Sequence, residues 1–290
     1  MWSALALTLN AFVWGVSWWP FRQLQGLGLH PLWATVLIYS TTVVVISVWR
    51  PGAWRELWQR PSLWLLVLAA GTTNATFNWG VTIGDVVRVV LLFYLMPLWA
   101  VLLARWLLRE PISTGALLRV ALALAGAGIV LWPAEGGLPV PRTLAEWLAV
   151  LGGFSFALNN VLLRREAHQP ESARALAMFL GGALVAGVLA VALTLQGAVN
   201  APPAVNWDGG PPAWVWGVAA MSLLFLVGNL ALQYGAAHLS ANATAVILIS
   251  EVLFASASAV WLGAGVLTPQ LAWGGFLIVM ASLLAARQRS

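Results

Sequence analysis

The chain has 290 residues, 61% of them hydrophobic and only 8% charged, with a mean hydropathy of +0.87. A water-soluble domain has roughly a quarter of its residues charged, so this composition excludes a soluble globular fold. Fourteen basic residues face nine acids; all fourteen are arginines lying mostly between apolar runs, which points to membrane flanks and away from nucleic acid. The absence of cysteine excludes disulfides, thiolate metal sites and cysteine nucleophiles.

A bilayer core needs roughly 20 apolar residues per helical crossing. Ten stretches fit that length in chain order: Trp2 to Pro20, Leu32 to Trp49, Ser62 to Ile83, Val86 to Leu108, Thr114 to Trp132, Thr143 to Leu163, Ala173 to Leu195, Ala213 to Ala237, Ser240 to Leu262 and Pro269 to Ala286. The first lacks a basic leader and an early small-residue cleavage site, and reads as a retained span. Two joints, Gly84-Asp85 and His238-Leu239, leave chain only for a tight reversal, with Asp85 and Ser240 placed to cap the following helices. The linker from Gly197 to Pro212, rich in Pro, Gly and Asn, reads as loop.

Orientation follows from the arginines. Arg50, Arg55, Arg60, Arg105, Arg109, Arg119, Arg164, Arg165, Arg174, Arg287 and Arg289 fall on the side of the N-terminus, and Arg22, Arg88 and Arg142 on the other. Positive charge is retained in the cytoplasm, so both termini are expected there. Tryptophans near span ends, among them Trp33, Trp49, Trp132 and Trp214, fit an interfacial belt, whereas Trp14, Trp18, Trp79 and Trp99 lie deeper.

The chain also resembles itself. Asn74, Asn78, Gly80 and Asp85 are matched by Asn229, Gln233, Gly235 and Ser240 at a constant offset of 155, and Trp79 meets Tyr234 in the same register. More weakly, Trp14-Gly15 pairs with Phe156-Ala157, and Arg22 with Arg164, at an offset of 142. The expected fold is therefore an all-α polytopic membrane protein of ten transmembrane helices in two five-helix repeats, residues 1–133 and 142–290, joined by a linker at 134–141. Five is odd, so the second repeat enters from the opposite face. An inverted repeat is the architectural sign of a secondary transporter, with a site near the midplane between the halves.

Asn74 and Asn78 share one helix face, and Asn229 and Gln233 repeat that spacing. Amides in hydrocarbon need partners, so these line a wet cavity or bond neighbouring helices. Asn10, Asn159 and Asn160 would bring the first and sixth helices to the same place, and Trp14, Trp18, Trp79, Tyr94 and Trp99 would supply apolar walls. Glu251 is the carboxylate deep inside a span. It could bind a substrate ammonium, carry a proton, or be a neutral acid tied to Ser250, Ser256 or a backbone carbonyl. Pro97 removes a helix hydrogen bond and is the candidate hinge. Glu110, near Arg105 and Arg109, reads as a loop ion pair, and Arg88 as a snorkelling side chain. Ala121 with Ala125, Gly182 with Ala186 and Ala183 with Gly187 mark close packing, as scaffold or as the surface of a weak homodimer.

Other classes fit poorly. His30, His168 and His238 lie at span ends or in loops without ligand spacing, so neither a metal nor an intramembrane catalytic centre is expected. A channel would want a ring of like groups. No phosphate-binding Gly-Lys-Ser/Thr loop is present, so no nucleotide cofactor is expected. No arginine or lysine falls at midplane depth to hold a phosphate, which favours a small neutral or zwitterionic substrate.

Ten spans in two halves, the Trp-Gly pair in helix one, and Pro97 ahead of Leu108-Arg109-Glu110-Pro111-Ile112-Ser113 resemble the drug/metabolite transporter superfamily, EamA type. The likeness extends over the whole chain, and its tryptophan content is most similar to the bacterial aromatic amino-acid exporters of the YddG kind. The second half departs from the pattern: Leu262 to Thr268 lacks the usual glutamate, and Val252 stands where Pro97 has its counterpart. The resemblance implies export of aromatic and other neutral amino acids, or broader drug and metabolite export, across a bacterial inner membrane.

Overall fold

The computed structural model describes residues 2–107, 109, 111–133, 138–205, 210–239 and 247–287, with side chains undescribed at 97, 233, 236, 237 and 285–287. Every regular element among these residues is helical: α1 (Trp2–Val16), α2 (Trp18–Gly26), α3 (Pro31–Trp49), α4 (Gly52–Trp58), α5 (Ser62–Ile83), α6 (Val86–Phe93), α7 (Met96–Leu107), α8 (Thr114–Leu131), α9 (Leu144–Arg165), α10 (Glu171–Leu195), α11 (Ala213–His238), α12 (Ser250–Trp261) and α13 (Pro269–Arg287). Six helical stretches among the described residues are long and apolar enough to cross a bilayer: 31–49, 86–107, 114–131, 144–165, 171–195 and 213–232. Their outward faces carry large apolar side chains such as Val48, Leu118, Val188 and Leu223, the surface that a polytopic membrane protein presents to lipid.

Two expected spans are broken. The first is α1 and α2, parted at Ser17, and the fourth is α6 and α7, parted at Tyr94 and Leu95. Each break precedes a proline by two or three residues, because the N–H that Pro20 or Pro97 lacks would have bonded four residues upstream, at Val16 or Phe93. Ser17 Oγ bonds the Trp14 carbonyl at 2.8 Å and steadies the first break. Helix α4 adds an element between the second and third expected spans. It is one short amphipathic element between Pro51 and Pro61 whose Ala53 and Leu57, four apart, are buried against Leu63, Leu66 and Leu176. Ser240 and Glu110 lie outside the described residues.

Helix neighbours set the architecture. Helix α5 packs on α9 and α10, and α11 on α1 and α3. Helix α12 packs on α1 and α6, α9 on α6 and α7, α8 on α13, and α3 on α10. Small residues permit the closest crossings. Gly182 and Ala186 are buried on α10, Gly182 against the Tyr39 ring, while Ala183 and Gly187 line an outward apolar groove of about 490 Å³. On α8 the packing within the chain uses another face: Ala121 and Ala125 are exposed and so do not serve as scaffold, and Ala123, Gly126 and Ala127 are buried, with Gly126 directly against Gly274 of α13. The helical period turns that stripe of alanines outward.

Gly71 and Gly181 bring the α5 and α10 backbones together, and a methyl on Gly181 would strike the Val67 carbonyl. Neither backbone can retreat without disturbing its other neighbours. Gly181→Ala is therefore expected to cost roughly 1–3 kcal/mol, read as a lowered melting temperature of the purified protein in detergent.

Candidate functional site

The break between α6 and α7 places Tyr94 so that its hydroxyl donates to Glu251 Oε2 at 3.0 Å. Pro97 cannot answer the Phe93 carbonyl, which points at Gly153 of α9, where the missing side chain leaves room for it. On the other side Gly15 of α1 lies against the Glu251 backbone: a methyl there would meet the Glu251 carbonyl at 2.8 Å. Three helices thus converge on Glu251 through a proline-broken helix and a glycine. The hydroxyl on the carboxylate comes from Tyr94; Ser250 bonds the Ile247 carbonyl at 2.6 Å.

Aromatic rings belong to the apolar cluster that α12 joins on either side of this point. Trp18 and Tyr94 are buried in one cluster with Val252 and Ala255, and Trp14, Trp99 and Phe156 pack against it. Trp18 Nε1 donates to Ser258 Oγ at 3.0 Å, two turns along α12 from Glu251 on the same face. Trp14 stacks on Phe225 at 4.7 Å, and Trp99 meets Phe154 edge-on at 5.5 Å, its buried Nε1 without a partner among the described residues. Carboxylate, hydroxyl and indole faces together suit a small cation carrying an apolar or aromatic body.

The amides sit elsewhere. Asn74 and Asn78 of α5 turn towards α3: Tyr39 OH donates to Asn74 Oδ1, and Asn78 Nδ2 donates to Thr35 Oγ1 at 3.1 Å. Asn10 Nδ2 donates to the Gly228 carbonyl at 2.9 Å and ties α1 to α11. These are interhelical bonds of the kind that buried amides form with their nearest partners. Asn78 Oδ1 and Asn159 Oδ1 remain buried without a partner among the described residues. Asn160 is half-buried, Asn229 is half-buried with an interaction of its own, and the Gln233 and Pro97 side chains lie outside the description.

Trp79 lies apart, its ring edge-on to His30 at 5.4 Å near the start of α3. His30 caps α3, Nδ1 accepting from Leu32 N at 3.2 Å, which requires a neutral ring, and burial lowers its pKa. The unfolded chain therefore takes up the proton first, and stability present above about pH 6.5 is lost as pH falls. His30→Asn keeps a cap acceptor without that proton. Between pH 7.5 and 5, the wild-type melting temperature should fall by about 1–3 °C more than that of the variant, measured by thermal unfolding.

Both ends of the bundle carry polar ties that the sequence reading missed. At the end opposite the N-terminus, Arg88 lies against Glu146 at 2.8 Å instead of snorkelling. Asp85 caps α6 through Arg88 N at 2.8 Å, as anticipated, and also accepts from Val266 N at 3.2 Å. Arg22 donates to the carbonyls of Val81 and Gly84, closing the C-terminal end of α5. At the other end, buried Glu166 accepts from Ser62 Oγ at 2.8 Å, Arg60 bonds Gln169, and Ser172 bonds Glu56. The Thr143-x-x-Glu146 spacing is a capping-box signal that could have located Glu146. Glu166 has no comparable signature.

Comparison with known proteins adds a family likeness. Residues 1–132 match the EamA-like transporter family. The uncharacterized transporter PA0485 of Pseudomonas aeruginosa is 30% identical over 169 residues, 56% of this chain and 54% of the relative, so the match spans about half the length of each protein. A solved crystal structure shares the fold at a TM-score of 0.60 with 17% sequence identity, covering 99% of each chain.

Proposed function

We propose that the whole chain, including the half beyond the EamA-like match, is a secondary transporter of small neutral or zwitterionic metabolites, foremost aromatic and other neutral amino acids. The observation that carries this reading is the Glu251 carboxylate, held by Tyr94 inside the bundle, on a helix whose Val252 and Ala255 share an apolar cluster with Trp18 and, packed against it, Trp14 and Trp99. An ammonium pairs with the carboxylate, and the ring or aliphatic body lies on the indoles. The direction is export, in keeping with the resemblance to amino-acid exporters, and Glu251 couples flux to protons if it releases its ammonium by taking one up.

Alternating access between two inverted halves supplies the mechanism. Counting α1–α2, α3, α5, α6–α7, α8, α9, α10, α11, α12 and α13 as ten spans, the main contacts between halves keep their pattern when each span is exchanged for the one five places on. The third packs on the sixth as the eighth does on the first; the third packs on the seventh as the eighth does on the second; the first packs on the ninth as the sixth does on the fourth. That regularity supports repeats at 1–133 and 142–290. The arginine asymmetry supports cytoplasmic termini.

The test is flux in proteoliposomes of labelled Phe, Tyr, Trp and Thr, competed by unlabelled compound. Saturable, competed flux of at least one is expected. Absence of saturable flux for all four removes the amino-acid assignment, and conductance without saturation would favour a channel.

A further inference from the structure

A zwitterionic substrate brings a carboxylate as well as an ammonium, and Glu251 can serve only the second. The span interiors hold no arginine at its depth. At the end of the bundle opposite the N-terminus, a cavity of about 450 Å³ opens among Ile83, Gly84, Asp85, Arg88, Thr143 and Glu146. Its size falls within the roughly 300–1,000 Å³ of small-molecule sites. Arg88, whose side chain is 35% exposed, is the cation on its wall.

Glu146 is divided between two tasks. Its Oε2 accepts from Arg142 N at 2.6 Å and Thr143 N at 3.2 Å and closes the cap of α9, while Oε1 faces Arg88 Nε at 2.8 Å. Arg88 Nε makes no hydrogen bond in that contact, so the attraction is one of charge alone. Asp85 does not compete for the guanidinium, since its oxygens accept from Arg88 N and Val266 N. Arg88 can therefore leave Oε1 without unmaking the helix cap or the α5–α6 turn. Arg88 is the exposed partner of the pair, 35% against 7% for the Glu146 side chain, so its guanidinium is open to the cavity while its Nε rests on Glu146, and a guanidinium matches an incoming carboxylate in two parallel bonds.

We infer that Arg88 is a carboxylate-binding residue for the transported substrate at this mouth of the bundle, parked on Glu146 Oε1 when no substrate is there. This rests on the transport reading above. It assigns the cavity to amino acids and other small carboxylates carried on the way in or out, and it makes Glu146 a competitor of the substrate.

The test uses the full chain in proteoliposomes with labelled phenylalanine and labelled phenethylamine, which share a ring and an amine and differ by the carboxylate. Arg88→Gln should raise the phenylalanine KM at least tenfold and leave that of phenethylamine within twofold. Glu146→Gln, which retains a capping acceptor, should lower the phenylalanine KM by freeing Arg88. An Arg88→Gln variant that weakens both compounds equally, or a Glu146→Gln variant whose phenylalanine KM is unchanged or raised, overturns the inference and leaves Arg88 as a tie between α6 and α9. If the wild type carries phenylalanine but not phenethylamine, the Glu146→Gln arm decides alone. If the wild type carries Tyr, Trp or Thr instead of phenylalanine, the same variants are read on that amino acid and its decarboxylated amine; absence of flux for all four overturns the amino-acid reading, and this inference with it.

Discussion

Glu251→Gln is expected to reduce transport to a tenth of wild type or less while leaving the melting temperature within about 2 °C, roughly the shift that 1 kcal/mol produces in a chain of this size. Glutamine matches glutamate in shape, and its Oε1 can still accept the Tyr94 hydroxyl that now reaches the carboxylate at 3.0 Å. Only the charge is removed. A charged hydrogen bond contributes roughly 1.5–3 kcal/mol, and each 1.4 kcal/mol is a factor of ten in binding, so loss of the ammonium partner corresponds to a ten- to hundredfold effect. A purely structural acid predicts the opposite: stability would shift and flux would persist. The measurement is saturable flux in proteoliposomes from pH 5.5 to 8.5, with unfolding followed in parallel. Flux equal to wild type across that range would reduce Glu251 to a packing residue. Tyr94→Phe should have a smaller effect of the same sign, since it frees the carboxylate without removing it.

How far the site could be read in advance depended on the range of the interaction. The Asp85 cap is local: a short polar side chain after Gly84 serves the backbone N–H of Arg88 three residues on, and both turn and cap stand in the structure as the spacing implied. The amides show the opposite case. Four-residue spacing places Asn74 and Asn78 on one face, but it cannot say which neighbour will take them. Their partners Tyr39 and Thr35 lie on α3, some 40 residues earlier in the chain, and direct both amides away from Glu251. Arg88 looks like a snorkelling cation until α9 brings Glu146 beside it from 58 positions away. Helix α4 is too short for a ruler of twenty residues, which does not register two amphipathic turns between two prolines. Buried Glu166 escaped because an acid after two arginines at a helix end ordinarily belongs to solvent.

The prolines lie between these extremes. A proline inside an apolar run announces a disturbed helix, and the sequence locates the disturbance at Pro97 itself. The structure locates it upstream, at Tyr94 and Leu95, because the missing donor is felt at the carbonyl four residues back. That displacement matters for function, since it converts Tyr94 from one more residue of a regular helix into the group that meets Glu251.

Pro97→Ala should therefore separate stability from transport. Alanine restores an N–H for the Phe93 carbonyl, which at present lies against Gly153, and allows α6 to continue into α7. Interior proline costs a helix about 3 kcal/mol relative to alanine, an upper limit here because the surrounding helices already accommodate the break. The variant is expected to melt as high as wild type or a few degrees higher, at about 2–4 °C for each kcal/mol recovered. A regular turn at 94–97 would rotate Tyr94 against α12 and draw its hydroxyl away from Glu251, and flux should fall at least fivefold. The comparison is made in the same proteoliposomes, with unfolding recorded on the same preparation. Retained flux with a lowered melting temperature would show that Pro97 only shapes packing around Gly153, and that Tyr94 reaches Glu251 without the break.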